Sequence, residues 1–299
     1  MIKIPVIGAI AMAAIFSGCS GTKLTAREKR DQIAVFLAKK QGFFAVAFKD
    51  LGSGRTIYIH AREKFHAAST MKTAVLLEIY KQSAAGSFAL SDSLPIRNEF
   101  RSIADNSVYT LHPEDDSEQD LYRHIGDKKC IRDLLYLMIT LSSNLATNLL
   151  VEKVGAGQVT HTLREMKIRD MVVLRGVEDG KAFEKGLNNQ VTAYDLALLF
   201  EKLARGTGIG KSADEEMISV LKDQQFNEII PAGLPPGTIV AHKTGWIKGI
   251  NHDSGIVFLA GGRKYILVLL SKDAADDKET VKTLATVSEM IYHYVQDGK

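Results

Sequence analysis

Ser69 to Ser83 reads STMKTAVLLEIYKQS, and from Thr70 onward the run is apolar on most sides of a helical projection. A surface helix keeps a polar face, so a helix this apolar is expected to be buried. Ser69 suits its N-cap. With the helix starting there, Lys72 falls one turn on, on the same face as Ser69. A serine hydroxyl is a poor nucleophile until a base takes its proton. Partial burial, or a second cation nearby, lowers a lysine pKa enough to make it that base. The helix N-terminus adds partial positive charge and free N–H groups where an oxyanion would form.

Upstream, Glu28 to Lys40 has helical spacing, with Ile33, Phe36 and Leu37 on one face. Phe43 to Phe48 and Thr56 to His60 read as a strand hairpin around Leu51-Gly52-Ser53-Gly54. Downstream, residues 96–128 are polar and acidic around Glu114-Asp115-Asp116. Ile131 to Leu141 and Leu145 to Val154 are apolar helices broken at Ser142-Ser143-Asn144, and Ala193 to Leu203 and Asp214 to Leu221 continue the helical section. Thr238 to Ala241, Gly255 to Leu259 and Tyr265 to Leu270 are β-rich, and Glu279 to Val295 closes the chain as an amphipathic helix. Strands near both ends with helices between them predict an α/β (α+β) fold. Its antiparallel sheet would be built from both chain ends and flanked by helices, beside an all-helical middle. The expected division is 28–67 plus 236–299 as a discontinuous α/β domain and 68–235 as a helical domain.

With 299 residues, 45% of them hydrophobic, the chain can bury a sizeable core. Its net charge of +3 is spread without a basic stripe, so nucleic acid is not an expected partner. Residues 1–19 form a separate unit: Lys3, then an apolar run from Ile4 to Phe16 too short to span a bilayer, as in a signal peptide. Phe16-Ser17-Gly18-Cys19 resembles a bacterial lipobox, with Phe16 where leucine is usual. Cys19 would then carry lipid and 20–27 would be a tether, ordinary cleavage without lipid being the alternative. The expectation is an exported, periplasm-facing monomer anchored to membrane, the outer one favoured by Ser20. Cys130, the other cysteine, is expected to be a buried structural thiol.

Ser-x-x-Lys occurs three times, at Ser20, Ser69 and Ser219, and a chain this long should contain it about once by chance. Only Ser69 opens a long buried helix. At Ser142-Ser143-Asn144 a hydroxyl can pass a proton to a leaving group and an amide can hold a substrate carbonyl. In Lys243-Thr244-Gly245, strand alternation sets Lys243 and Gly245 on one face, and Gly245 leaves room for a ligand near the backbone. Lys243 is expected at an edge or cleft, since burying it in a strand is costly. Gly206 to Ser212 imitates a phosphate-binding loop but follows a helix and has Arg205 at the first glycine position, so it reads as a helix-ending loop. His66 and His242 flank the motifs and are expected in packing or supporting roles.

Ser-x-x-Lys, Ser-x-Asn and Lys-Thr-Gly in this order resemble the class A β-lactamases and penicillin-binding proteins, class A most closely. Met138-Ile139-Thr140 and Pro231-Ala232-Gly233 are similar to class A as well, and the resemblance covers nearly the whole mature chain. It implies that Ser69 attacks a β-lactam carbonyl, Lys72 accepts or relays the proton, and Ser142 shuttles it to the leaving nitrogen. Asn144 would hold the substrate amide, Lys243 and Thr244 its carboxylate beside Gly245, and the N–H groups of Ser69 and Trp246 the oxyanion. No cofactor or metal is implied.

The resemblance also requires a glutamate to activate the deacylating water. Glu178 has the family's spacing to Asn144 and Thr192 but puts Ala182 where a water-positioning asparagine belongs. Glu184 copies a Glu-x-x-Leu-Asn motif ending at Asn188 but leaves little chain before the next helix. Glu178 is preferred. Ser143 replaces the usual aspartate, no arginine lies between Asp223 and Ser254, and Trp246 is bulky. Three functions stay open: a serine β-lactamase, a related hydrolase of cell-wall peptides (D-Ala-D-Ala carboxypeptidase-like) with slow β-lactam turnover, and an inactive peptidoglycan-binding lipoprotein.

Overall fold

Strands β1 (Phe43–Asp50) and β2 (Thr56–Ile59) come from the start of the chain; β3 (Ile239–Ile247), β4 (Ile250–Phe258) and β5 (Lys264–Lys272) come from its end. In the computed structural model, which describes residues 24–297, they form one antiparallel sheet in the order β2-β1-β5-β4-β3. The two chain ends meet where β1 pairs with β5, Ala45 opposite Leu270 and Ala47 opposite Val268.

Both sheet faces are covered, which explains why β1 and β5 are apolar without alternation. Phe44, Val46, Phe48, Tyr265, Leu267 and Leu269 pack on one side against Ile33 of helix α1 (Ala26–Leu37) and Leu284 and Ile291 of the closing helix (Asp277–Asp297). Ala45, Ala47, Ile266, Val268 and Leu270 face the other way, toward the helical section. Each large side chain buried here contributes about 1.5–3 kcal/mol.

The helical section holds α2 (Lys72–Ala84), α3 (Ile131–Thr140), α4 (Asn144–Val154), α5 (Ala156–Glu165), the short α6 (Gly180–Glu184), α7 (Ala193–Ala204) and α8 (Lys211–Lys222), with the closing helix as α9. Every residue of α2 from Lys72 to Tyr80 is buried, as its apolar circumference requires.

Several expectations need correction. Ser69 is not an α-helical N-cap: Ala68–Met71 form a 3-10 turn before α2, with no side-chain cap at its start. Helix α1 begins inside the expected tether, because Thr25 and Glu28 form a capping box. Cys130 is half-buried, just before α3. The loop after α7 spends its amides inside the protein, Gly208 N and Ile209 N donating to Asp214 at 2.8 and 2.9 Å, in keeping with a helix-ending role. The signal segment and Cys19 lie outside the described residues. Among those described, no helix is long and apolar enough to cross a membrane.

Candidate active site

The α3–α4 break is built by Ser143 and a left-handed Ser142. Ser143 is buried, and its hydroxyl accepts Ala146 N at 3.2 Å, capping α4. Serine therefore performs the capping that an aspartate could perform at this middle position. Ser142 has φ 58°, a conformation that costs a non-glycine residue about 1–2 kcal/mol. Ala68, just before Ser69, and Glu178 also have positive φ, 43° and 59°. Three of the seven non-glycine residues with positive φ among the described residues thus line one cleft, and strained backbone is common at functional sites.

That cleft has a volume of about 1260 Å³ and is lined by Ser69, Ser142, Asn144, Glu178, Thr244 and Trp246 among others. Lys72 and Lys243 are fully buried behind its wall. Lys72 Nζ donates to Ser142 O at 2.6 Å, to Ser142 Oγ at 3.2 Å and to Asn144 Oδ1 at 3.0 Å. Lys243 Nζ lies 3.1 Å from the same Ser142 Oγ and 3.0 Å from Thr244 O. The Asn144 amide nitrogen donates in turn to Glu178 Oε1. A continuous chain of hydrogen bonds therefore runs Lys243–Ser142–Lys72–Asn144–Glu178. Ser69 shares the cleft without joining the chain, since no hydrogen bond links its hydroxyl to Lys72.

Lys243 sits on an edge strand as expected, but its side chain is wholly buried rather than facing the cleft. Gly245 serves a different need from the one its sequence suggested. A Cβ there would stand 3.1 Å from Ser69 N, Thr70 N and Thr70 Cγ2, so the space is taken by the turn that carries Ser69. Trp246 is 63% exposed and walls the cleft mouth.

The segment carrying Glu178 is clamped from several sides. Asn148 of α4 accepts Val177 N at 2.6 Å and donates to Val177 O at 3.1 Å. Asp179 accepts Ser102 Oγ, Ile103 N and Ala182 N at 2.7–3.0 Å. Glu184 is exposed, lies outside the cleft lining and makes no side-chain hydrogen bond. Asn188, the end of the Glu184 motif, accepts from Arg175 at 2.9 Å instead of meeting a glutamate. Ala182 is fully buried, and Asn144 is the side chain that meets Glu178.

Asp116 escaped the sequence reading. It is buried, and its Oδ2 accepts Asn144 N at 2.8 Å, Leu145 N at 3.0 Å and Tyr122 OH at 2.9 Å. A carboxylate at the first amides of α4 is stabilised by the helix dipole. Nothing in the run Glu114-Asp115-Asp116 distinguishes the buried member from its solvated neighbours.

These charges tune one another. Burial pushes the Lys72 amine down to about 7, and Asp116 and Glu178 keep it from falling further. Lys243 is driven well below the usual lysine range by burial and by Lys72, with Asp253 opposing. Glu178 keeps an edge open to the cleft, yet the surrounding walls thin its hydration and raise its carboxyl pKa. Asp116 adds to that rise, while Asn144 and Lys72 moderate it. The site therefore combines a lysine poised near neutrality, a hydroxyl shared between two amines, and a carboxylate in a partly dry niche, the components of acyl transfer to and from a serine.

The chain is similar to known proteins in sequence and in fold. A family described as "Beta-lactamase enzyme family" matches residues 28–295. The extended-spectrum β-lactamase PER-1 of Pseudomonas aeruginosa is 22% identical over 278 residues, covering 89% of this chain and 86% of that protein. Among solved structures, PBP-A superposes with a TM-score of 0.78 at 23% identity, over 90% of this chain and 96% of PBP-A. The TLA-1 extended-spectrum β-lactamase superposes with a TM-score of 0.79 at 18% identity, over 91% of this chain and 99% of that one.

Proposed function

Since the chain belongs to the beta-lactamase enzyme family, we propose that it hydrolyses β-lactams through an acyl-enzyme on Ser69. The observation that carries this reading is the Lys243–Ser142–Lys72–Asn144–Glu178 chain beside Ser69 in one cleft. Neutral Lys72 takes the Ser69 proton as Oγ bonds to the β-lactam carbonyl carbon. The amide N–H groups of Ser69 and Trp246 hold the oxyanion, and Thr244 on the cleft wall receives the substrate carboxylate, with Lys243 buried behind it. Ser142, in contact with both amines, passes a proton to the ring nitrogen as the C–N bond breaks. Asn144 orients the acylamino side chain and the Glu178 carboxylate, which removes a proton from water as the water attacks the ester. That step releases the acid and restores Ser69. Export on the N-terminal segment, with lipid at Cys19, would bring the enzyme to periplasmic substrate.

A second reading is acyl transfer on cell-wall peptides with slow β-lactam turnover. It is favoured by Ala182, which leaves Glu178 without a second polar partner one helical turn away. The lifetime of the penicilloyl adduct on Ser69, followed by intact-protein mass spectrometry, separates the two. An adduct lost within seconds, with a chromogenic cephalosporin hydrolysed and Ser69→Ala inactive, supports the first. An adduct lasting hours supports the second. Absence of any Ser69 adduct would refute both and leave a binding protein.

A further inference from the structure

His66 lies outside the hydrogen-bond chain above, yet it holds the backbone from which Ser69 projects. It ends a short strand, Phe65–His66, paired antiparallel with Gln190–Val191 just after the Glu178 segment. Ala67 N donates to Asn189 O at 2.9 Å, and Ala68 N donates to the His66 ring at Nδ1, 3.0 Å away. Ala68 is the buried, left-handed residue immediately before Ser69, and it lacks the glycine that would adopt φ 43° without strain. A side-chain acceptor bonding the amide two residues on is the pattern of an Asx turn, here made by imidazole.

We propose that His66 is a positioning residue for the nucleophile: its ring nitrogen holds the strained Ala68 amide and so aims Ser69. This rests on the reading of Ser69 as the acylated serine. The bond exists only while Nδ1 is unprotonated, because an imidazolium has donors and no acceptor. The charged and titratable groups that face His66 are Arg175, from the Glu178 segment, and His252 of β4, whose Nε2 lies 3.0 Å from His66 O. Burial and the Arg175 charge both depress the His66 pKa, and burial holds His252 neutral down to about pH 4. His66 therefore accepts throughout the neutral range and loses the bond only on acidification. Phe183 meets the ring edge-on at 5.9 Å, so the same imidazole also touches the helix that follows Glu178.

Two variants separate the acceptor from the ring. His66→Asn supplies a side-chain oxygen that can close a true Asx turn and does not titrate; His66→Phe keeps an aromatic ring and has no acceptor. The readouts are the rate of Ser69 labelling by a fluorescent penicillin and hydrogen exchange of the Ala68 amide, each between about pH 5 and pH 8. His66→Phe should slow labelling and speed Ala68 exchange by about tenfold or more, the equivalent of one lost hydrogen bond. His66→Asn should restore both to within about threefold of the parent and remove the decline of Ala68 protection on acidification, while the Lys72-dependent decline of labelling stays in place. Parent-like labelling and exchange in His66→Phe would overturn the inference, as would failure of His66→Asn to restore either. If His66→Phe does not fold, a parent Ala68 amide that exchanges without protection at neutral pH, where Nδ1 accepts, overturns it too. An unlabelled parent would refute the proposed function, while the exchange data would still decide whether His66 holds Ala68.

Discussion

Lys72 Nζ and Lys243 Nζ converge on a single oxygen, Ser142 Oγ, at 3.2 and 3.1 Å. Two buried ammonium groups this close repel strongly, so the fold favours neutrality of at least one. The Lys72 charge lowers the Lys243 amine, and burial brings Lys72 itself to about 7. As the proposed base for Ser69, Lys72 must be neutral to accept a proton, and its neutral fraction grows as pH rises. Acylation should therefore climb by about tenfold per unit below pH 7 and level off above it. Lys72→Arg, which stays charged, should lose about 10²- to 10⁴-fold at every pH. Stopped-flow acylation between pH 5.5 and 8.5 checks this, and a flat profile would count against Lys72 as the base.

Asp116→Asn tests the carboxylate under the site. Asp116 raises the pKa values of both Lys72 and Glu178, so removing its charge should lower both. The rising limb of acylation and the acid limit of deacylation should each move to lower pH. If the amide oxygen keeps the three donors that Oδ2 accepts, the NH2 group faces Glu118 N, which donates to Oδ1 at 3.1 Å, and the lost acceptor costs about 1–3 kcal/mol. Urea unfolding reads the stability. An acylation limb displaced upward would show that Asp116 does not act on Lys72.

Glu178 and Glu184 should part company in deacylation. Glu178 lines the cleft and meets Asn144, whereas Glu184 lies outside the cleft lining and makes no side-chain hydrogen bond. Glu178→Gln should lengthen the adduct lifetime by about 10²- to 10⁴-fold and leave acylation much less affected. Glu184→Gln should match the parent. Base action needs the ionised carboxylate, and the Glu178 pKa is raised, so deacylation should weaken on acidification at a pH above the usual carboxylate range. Equal lifetimes for the two variants would remove Glu178 from the mechanism.

The order of the motifs was legible because helix start, helix break and edge strand each carry a local pattern. The sheet was legible because Phe43–Phe48 and Tyr265–Leu270 are apolar runs bounded by turns. Helix α5 was missed because Ala156–Glu165 follows Gly155 and buries only Val159, Thr162 and Leu163, too few to mark a face. Asp116 was hidden for a different reason: its burial follows from the path of the loop across α4, which no local periodicity encodes. Left-handed conformations at Ala68, Ser142 and Glu178 were equally silent, since non-glycine residues do not advertise them. The strand of Lys243 follows from local pattern, but its burial does not, because the oxygens that receive its amine, Ser142 Oγ and Thr244 O, come from tertiary contact and the adjoining backbone.

Gly245→Ala probes how closely β3 approaches the nucleophile. The new Cβ would stand 3.1 Å from Ser69 N, Thr70 N and Thr70 Cγ2, closer than ordinary packing allows. Backbone atoms make two of those three contacts, so no flexible side chain can swing away to relieve them. Either β3 moves outward, which an edge strand permits, or the Ala68–Met71 turn shifts. Overpacking of this kind costs about 1–3 kcal/mol in stability. Catalysis should suffer more than folding, because Trp246 N and Ser69 N would separate and the oxyanion would lose a donor, a loss of about 10²- to 10³-fold in acylation. Melting curves and acylation rates on the same preparation check both effects. A Gly245→Ala protein that melts lower yet acylates at the parent rate would show that the spacing between β3 and the Ser69 turn serves packing and not the oxyanion.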